Sequence, residues 1–565
     1  MLSPLLLLGL GCIFLGWNMP NHYPPYMSFH GELMPGVGMV LLWLGLVAAR
    51  RSGRGALPLP KAACVWAAVG CIPLLQYASG MLMFRTDAAL GVLYGAGMAA
   101  SLYVGHLWSA RVGVERVLRA VFLTVAVGAV AANVLALVQW LRLPVSGWWM
   151  MDRMGERPFG NLGQPNHFAL MMLFGTIAVT ALFEMRALRS PWIFAPLVAY
   201  MGLGVLISQS RAGALALMCV IACWLLTRRR VETRLRVPMV LVAAAIWLLL
   251  FVLLQRLQDI LGLDAAVRET MTTGVRPVMW HHFWTAILAH PWLGYGFNQG
   301  VAAMAEVAAQ WPPSPTHSTV YAHNFVLDLM VWGGIPLAVV LTGSLAFWLL
   351  AWLGRTGDGR LDRLRHLVFA IWLALVAQSL FEYPYAYAYF LIPAVLLAGA
   401  ITLPPAGTGT SSTGCGYVAG KRALLLALVP AVLLATVVWD YSTLENDTRI
   451  ARFARANYLD MPHHDFLDAP LVLDLLATMN KTTLFKLKAG MTQEQLEQLR
   501  KVARRVQNAA VQVDYAKALA LNGHMDGALH ELDNLRGLYD PEQYESIEKE
   551  WRDWLGEKDA KVPKL

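Results

Sequence analysis

His323-Asn324 stands where a polar loop, residues 257–322, gives way to a long apolar segment. A neutral imidazole at such a boundary suits the removal of a proton from a hydroxyl near neutral pH. Asn324 is placed to orient that imidazole or the hydroxyl. The same loop carries Arg268 and Arg276, and a guanidinium presents a rigid fork of donors that fits phosphate oxygens. Such side chains are not kept beside lipid without a use. An anionic headgroup and a proton to be removed would together explain them. A lone histidine at a helix end is, however, more often a cap or an interfacial residue. Asp328 follows His323 by about 140° round a helix, so it is expected to face another helix.

Three further stretches carry chemistry. Arg157-Pro-Phe-Gly-Asn-Leu-Gly-Gln-Pro-Asn-His167 is rich in amide side chains and turn formers. Pro165 suits a first helical position, and the free amides of a helix start favour anions. Gln164 and Asn166 there suit hydrogen bonds to a glycan; a plain re-entry turn is the bland alternative. Arg276-Pro-Val-Met-Trp-His-His-Phe-Trp284 combines one arginine with aromatics such as Trp280, as an interfacial helix gripping a lipid headgroup would. His281, His282 and His290 have no nearby carboxylate or cysteine to complete a metal set, so no metal is expected. Phe381-Glu-Tyr-Pro-Tyr-Ala-Tyr-Ala-Tyr389 is an aromatic belt or a ring platform for sugar. Ser208-Gln-Ser-Arg-Ala-Gly213 places Arg211 in a very short turn between apolar runs, where it wants an anion.

These residues need elements to hold them. The chain has 565 residues, of which 57% are hydrophobic and only 14% charged. A soluble domain carries about a quarter charged residues, so this is an integral membrane protein with a smaller polar part. Spans of bilayer length fall near 2–17, 33–49, 62–78, 88–108, 117–140, 165–184, 191–207, 210–227, 237–256, 323–353, 366–381, 385–402 and 422–440. Alternate loops then hold 20 and 8 Lys+Arg, and the basic set marks the cytoplasm. The N-terminus is therefore expected inside. The large loop 257–322 and the tail 441–565 are expected in the periplasm.

The net charge of +9 follows from this topology and does not imply nucleic acid. The first 440 residues hold 28 Lys+Arg and 16 Asp+Glu, whereas the tail holds 17 and 20. Eight arginines remain on the outer side against the topological bias: Arg85, Arg142, Arg153, Arg157, Arg211, Arg256, Arg268 and Arg276. Some are expected to pair with Asp87, Asp152, Glu156 or Glu269. The six cysteines show no CxxC, which suggests neither zinc nor a disulfide framework. The outer loops contain no Asp-x-Asp or Glu-x-Asp. A metal-bridged diphosphate is thus not expected, nor is any cofactor.

Residues 1–440 are read as one transmembrane domain and 441–565 as a small helical one. Within the tail, DYAKALALNGHMDGALHELDNL resembles one tetratricopeptide helix pair, with Asn522-Gly523 as its turn. A structural cap and a partner-recognition role fit it equally.

Taken together the motifs resemble the O-antigen ligase and O-antigen polymerase superfamily. The shared pattern is His323 followed by Gly334, Ser210-Arg211-Ala212 upstream, Arg276 with Trp280, and Pro291, Gly294 and Gly296. Three stretches are similar to the bacterial protein O-oligosaccharyltransferase (PglL-type) branch: Pro20–Tyr26 with Phe29, His30 and Glu32; Arg157–His167; and Glu382-Tyr383-Pro384 with Tyr387 and Tyr389. The resemblance implies an all-α polytopic fold, GT-C-like, of about 12–13 transmembrane helices, in the bacterial inner membrane. It implies transfer of a preassembled glycan from undecaprenyl diphosphate to a Ser or Thr hydroxyl of a pilin-like or other exported protein. By motif match, Gln164, His323 and Tyr383 correspond to residues important in that branch, and Arg211 and Arg276 to donor-diphosphate contacts. Transfer to lipid A core, polymerisation, and lipid-linked glycan transport are the alternatives.

The expected mechanism is an inverting displacement in which Arg211 and Arg276 stabilise the diphosphate and His323 activates the acceptor. Gln164, Asn166, Arg157, Asn324, Tyr383 and Trp280 then contact the substrates.

Overall fold

Apolar runs of bilayer length must satisfy their own backbone groups, and a helix does so locally. The structure, a computed structural model, describes residues 3–20, 22–48, 57–144, 148–152, 155, 157–231, 233–260, 275–311, 318–354, 359–402, 414–418, 420–456, 458 and 465–557. Arg153, Glu156, Arg268 and Glu269 lie outside them. Eight described helices are long and apolar enough to cross a membrane, among them Phe29–Ala48, Val114–Trp140, Pro165–Glu184 and Pro191–Ser208. Shorter apolar helices include Pro4–Asn18, Arg211–Thr227, Val237–Leu253 and Ala388–Ala400. The chain is a multi-pass membrane protein with an all-α fold, apart from one small ladder. The expected span at 62–78 is divided into Lys61–Gly70 and Ile72–Ala78. Pro73 sits in the first turn of the second piece, where its missing N–H is harmless.

The chain forms two compact units. The first comprises Met1–Gly70, Leu93–Thr270 and Leu345–Leu434. Its pillar is Pro165–Glu184, 89% of whose apolar window is enclosed by protein. Val114–Trp140, Pro191–Ser208 and Gly359–Ser379 pack round that pillar. Close van der Waals fit, more than water exclusion, holds helices in lipid. Phe168, Phe174 and Phe390 accordingly have at most 1% of their surface exposed. The Trp17 indole adds a tether, donating to the Tyr389 carbonyl at 2.8 Å. Leu57–Pro60 pairs antiparallel with Gly414–Val418, joining two loops far apart in sequence. Cys64 is disulfide-bonded. The spacing of the six cysteines, without CxxC, had not suggested it.

The second unit comprises Cys71–Val92, Met271–Ser344 and Ala435–Leu565. Five tail helices belong to it: Asp474–Thr483, Gln493–Arg505, Ala509–Leu521, Met525–Leu538 and Pro541–Glu557. The tetratricopeptide-like segment is the Ala509–Leu521/Met525–Leu538 pair, with Gly523 at φ 83° in the turn. Phe283, Ile287 and Met304 share one core with Val513, Leu532, Leu535 and Trp551. The tail is therefore not packed by itself. Asp440 collects the amides of Leu471, Val472 and Leu473 at 2.9, 2.6 and 3.0 Å. Asp474 caps the start of the Arg85–Val112 helix, accepting from the Arg85 and Thr86 amides at 3.1 and 2.9 Å. Arg85, one of the outer arginines, meets Asp474, which was not among the carboxylates expected to pair with that set. Asp87 instead takes the tail's Arg505 at 2.6 Å, both groups almost wholly buried.

Candidate active site

In the first unit, Gln164 adopts an extended backbone and is the N-cap of Pro165–Glu184. Asn166 Nδ2 donates to Glu382 Oε1 at 2.7 Å, and Gln164 Nε2 to Glu382 Oε2 at 3.4 Å. Glu382 is fully buried, and a buried carboxyl group needs such hydrogen-bond partners. Gln378 Nε2 donates to the Asn166 carbonyl. The His167 ring stands edge-on to Tyr383 and Tyr387, with centroids 5.4 and 4.6 Å away. Burial raises the Tyr383 phenol pKa, only partly offset by Tyr387; it is a proton-bearing donor at neutral pH.

The loop carrying these amides is fixed from behind. Gln139 Oε1 accepts from the Phe159 and Gly160 amides at 2.9 and 2.7 Å, and its Nε2 donates to the Met151 and Gly160 carbonyls. Asn161 Nδ2 donates to the Asn18 carbonyl at 2.9 Å, and the Asn161 carbonyl meets His22 Nε2 at 2.5 Å. Glu32 accepts from Ser28 Oγ at 2.8 Å and from the Ala388 amide at 3.3 Å, and Tyr94 Oη also donates to it. The three stretches that looked separate in sequence, 20–32, 157–167 and 382–389, are thus one hydrogen-bonded assembly.

Arg157 extends it, its Nη1 reaching the Ser208 carbonyl at 3.4 Å. Gln209 then turns left-handed, at φ 50° and ψ 31°. Ser210 Oγ accepts from the Gly213 amide at 3.0 Å, so Arg211 is the first residue of its helix. A Cβ on Gly213 would lie 2.7 Å from that of Ala169, which sets this helix start against the first turns of Pro165–Glu184. Arg157, Gln164, Asn166, Arg211 and Tyr383 are joined by this continuous series of contacts. Two helix N-termini open beside them, adding partial positive charge.

The second unit holds the other four expected residues. His323 takes a left-handed backbone, φ 54°, a conformation that costs on the order of 1–3 kcal/mol and is held by its surroundings. Asn324 Oδ1 caps the next helix through the Val326 and Leu327 amides at 3.0 and 3.3 Å. Asp328 accepts from the Ala322 amide at 2.8 Å, within its own approach loop. Trp280 Nε1 donates to the Ala322 carbonyl at 2.8 Å. His323 is thereby gripped on both sides. Arg276 begins the Arg276–Ala289 helix one turn before Trp280. A groove of about 580 Å³ is lined by Pro277, Trp280, His281, Trp284, Asn324 and Leu327. His290 Nε2 lies 2.9 Å from Glu306; among the described residues no three of His, Cys, Asp or Glu converge.

The Gly334 and Pro-x-x-Gly-x-Gly positions now have a physical reason. Gly334 breaks the Phe325–Gly354 helix at φ 79°, ψ 171°. A Cβ there would lie 2.2 Å from the Trp292 carbonyl oxygen, and one on Gly294 2.3 Å from that of Val331. The helix exchanges bonds with the loop: Tyr295 N donates to Val331 O at 2.7 Å, and Ile335 N to Pro291 O at 2.8 Å. Pro336 leaves the Trp332 carbonyl without its helical donor, and Gln76 Nε2 supplies one at 2.6 Å. Sequence reading passed over Gln76, Gln139 and the clamp by Glu382. Only the last had a signal, a carboxylate inside an apolar, tyrosine-rich turn.

The chain is an oligosaccharyltransferase or O-antigen ligase-type enzyme, similar to the family its motifs resembled. The O-antigen ligase family model matches residues 196–342, which include Arg211, Arg276, Trp280, His323 and Asn324. A second, described as virulence factor membrane-bound polymerase, C-terminal, matches residues 366–552, with Tyr383 and most of the tail. Among curated proteins, a general O-oligosaccharyltransferase of Acinetobacter baylyi (strain ATCC 33305 / BD413 / ADP1) is 28% identical over 560 residues, 95% of this chain and 92% of the relative. A ComP-specific O-oligosaccharyltransferase of the same organism is 26% identical over 250 residues, 44% of each chain.

Proposed function

We propose that this enzyme moves a preassembled glycan from undecaprenyl diphosphate to a Ser or Thr hydroxyl of a pilin-like or other exported protein. It works at the periplasmic face of the bacterial inner membrane, with the N-terminus in the cytoplasm and the tail outside. The observation that carries this reading is the likeness along nearly the whole chain, tail included, to a relative named for general O-oligosaccharyl transfer. In the proposed step the acceptor oxygen bonds to the anomeric carbon as the bond from that carbon to the diphosphate oxygen breaks, inverting the centre. His323 takes the hydroxyl proton, and undecaprenyl diphosphate leaves. Arg211 and Arg276 stabilise its growing charge, while Arg157, Gln164, Asn166, Asn324, Trp280 and Tyr383 orient glycan and acceptor. The outer loops hold no paired carboxylates to bridge a divalent ion, so the arginines carry the neutralisation.

The test supplies undecaprenyl-diphosphate glycan with a pilin, with lipid A core, or with glycan alone, and follows the products by mass spectrometry. Sugar on the pilin, insensitive to EDTA, is expected. His323→Ala should lower the rate by about 10²–10⁴-fold, as loss of a general base does. Removing one stabilising charge at Arg276→Ala costs on the order of 2.7–4 kcal/mol of barrier. Product on lipid A core alone, or extension of the glycan alone, would replace this reading with a ligase or a polymerase. Full activity in both variants would put the site elsewhere.

A further inference from the structure

The amide of Gln164 has a fixed polarity. Its Nε2 faces Glu382 Oε2 at 3.4 Å, while its Oε1 is buried and has no hydrogen-bond partner among the described residues. An ionised carboxylate only accepts, so the opposite amide orientation would set oxygen against oxygen. Glu382 cannot swing away, because Asn166 Nδ2 holds its other oxygen at 2.7 Å and it is fully buried. Asn166 is fixed in turn by Gln378 through its backbone carbonyl. An orphaned buried acceptor is unfavourable until a donor reaches it. This one lies at a helix start in the same assembly as Arg157 and Tyr383.

We infer that Glu382 is a positioning residue that locks Gln164 so that Oε1 accepts a hydrogen bond from a substrate hydroxyl. The hydroxyl belongs either to the glycan or to the attacking Ser or Thr. This rests on the reading that Gln164 meets substrate during glycan transfer.

The experiment uses the full-length protein in detergent, undecaprenyl-diphosphate glycan and a purified pilin, with kcat and both KM values measured. Glu382→Gln permits either amide orientation and should lower kcat/KM about 10–100-fold, the range of one buried polar group left unmet. Gln164→Glu opposes two carboxylates and should do more harm. The exchange Gln164→Glu with Glu382→Gln restores the geometry. Gln at 382 then donates to Glu at 164 and accepts from Asn166, and the free carboxylate oxygen replaces Oε1. It should recover to within about tenfold of the parent. Glu382→Gln at parental kcat/KM, or an exchange no better than the worse single variant, would overturn the inference. A merely structural role would move thermal stability without splitting kcat from KM. Whichever KM rises, for donor glycan or for pilin, identifies whose hydroxyl is bound. Gln164→Ala separates the two levels. Parental kinetics there would remove Gln164 from the site, whereas impairment there with an unaffected Glu382→Gln would remove only the positioning role.

Discussion

Gln164 and Asn166 owe their orientation to a third side chain, Glu382, whereas His323 owes its orientation to a left-handed backbone pinned by Trp280, Asn324 and Asp328. The first unit thus holds its polar groups through one another. The second holds them through main-chain geometry. The difference has a source in the sequence. A loop with three amide side chains, Asn161, Gln164 and Asn166, has donors to spare, and the Asn18 carbonyl and Glu382 take them. The 318–324 approach has few such side chains, so carbonyls, amides and a cap fix it. Damage should therefore spread differently: by lost hydrogen bonds in the first unit, by backbone displacement in the second.

The largest effect expected from this contrast is at Gly334. A valine there would need φ 79° and would place its Cβ 2.2 Å from a carbonyl oxygen. Strain of about 1–3 kcal/mol then adds to a clash that backbone alone can relieve. Gly334→Val should leave little folded protein, read by size exclusion and thermal melting. Its counterpart in the first unit is Gln139→Ala, which removes a side chain making four loop hydrogen bonds. Unmet buried groups cost about 1–3 kcal/mol each, so a folded protein with a lower melting temperature and weaker glycan transfer is expected. Equal damage from the two would erase the distinction.

Next in size is the ion pair between Asp87 and Arg505. Removing one partner of a buried pair typically costs about 3–5 kcal/mol, and Gln299 Nε2, 3.1 Å from Asp87 Oδ2, would lose its acceptor as well. Asp87→Asn should lower stability by an amount near that of Arg505→Met, and the double variant should cost less than the sum. Strict additivity in a double-mutant cycle would mean that the pair does not couple tail to loop. Truncation at 441 should be worse than either, since it also strips Trp551 and Leu535 from the core shared with Phe283.

Much of this was readable from sequence. Hydropathy placed Pro165–Glu184 and Arg211–Thr227 nearly to the residue, because both begin at strong start signals, Pro165 and Ser210. The types of the site residues were legible because charged and amide side chains are conspicuous among apolar runs. Their supports were not. Gln76 and Gln139 are single glutamines inside apolar helices, and no local pattern tells which distant carbonyl they meet. The tail read as self-contained because its helices have helical periodicity; that Asp440 and Asp474 tie it to other segments is long-range information. The left-handed His323 was equally silent, since the bonds that Ala322 makes to Asp328 and Trp280 beside it are not visible in local sequence.

The smallest effect concerns pH. His282 lies on the Arg276–Ala289 helix against Trp311, with ring centroids 4.9 Å apart. Burial lowers its pKa from 6.5 to about 4, with a further push from His281. In the unfolded chain the same ring protonates near 6.5. Between those values the unfolded state binds more protons, so this contribution to stability is intact above about 6.5 and is lost as pH falls toward 4. In the first unit, burial also lowers His22, but carbonyls such as that of Asn161 pull it back up, so its slope should be shallower. Melting temperatures at pH 7 and pH 5 should fall more for the parent than for His282→Phe, which cannot titrate, while His22→Phe should change the slope little. A steeper loss traced to His22 would reverse the assignment: the side-chain-bonded unit, and not the backbone-held one, would be the part of the molecule that acid loosens first.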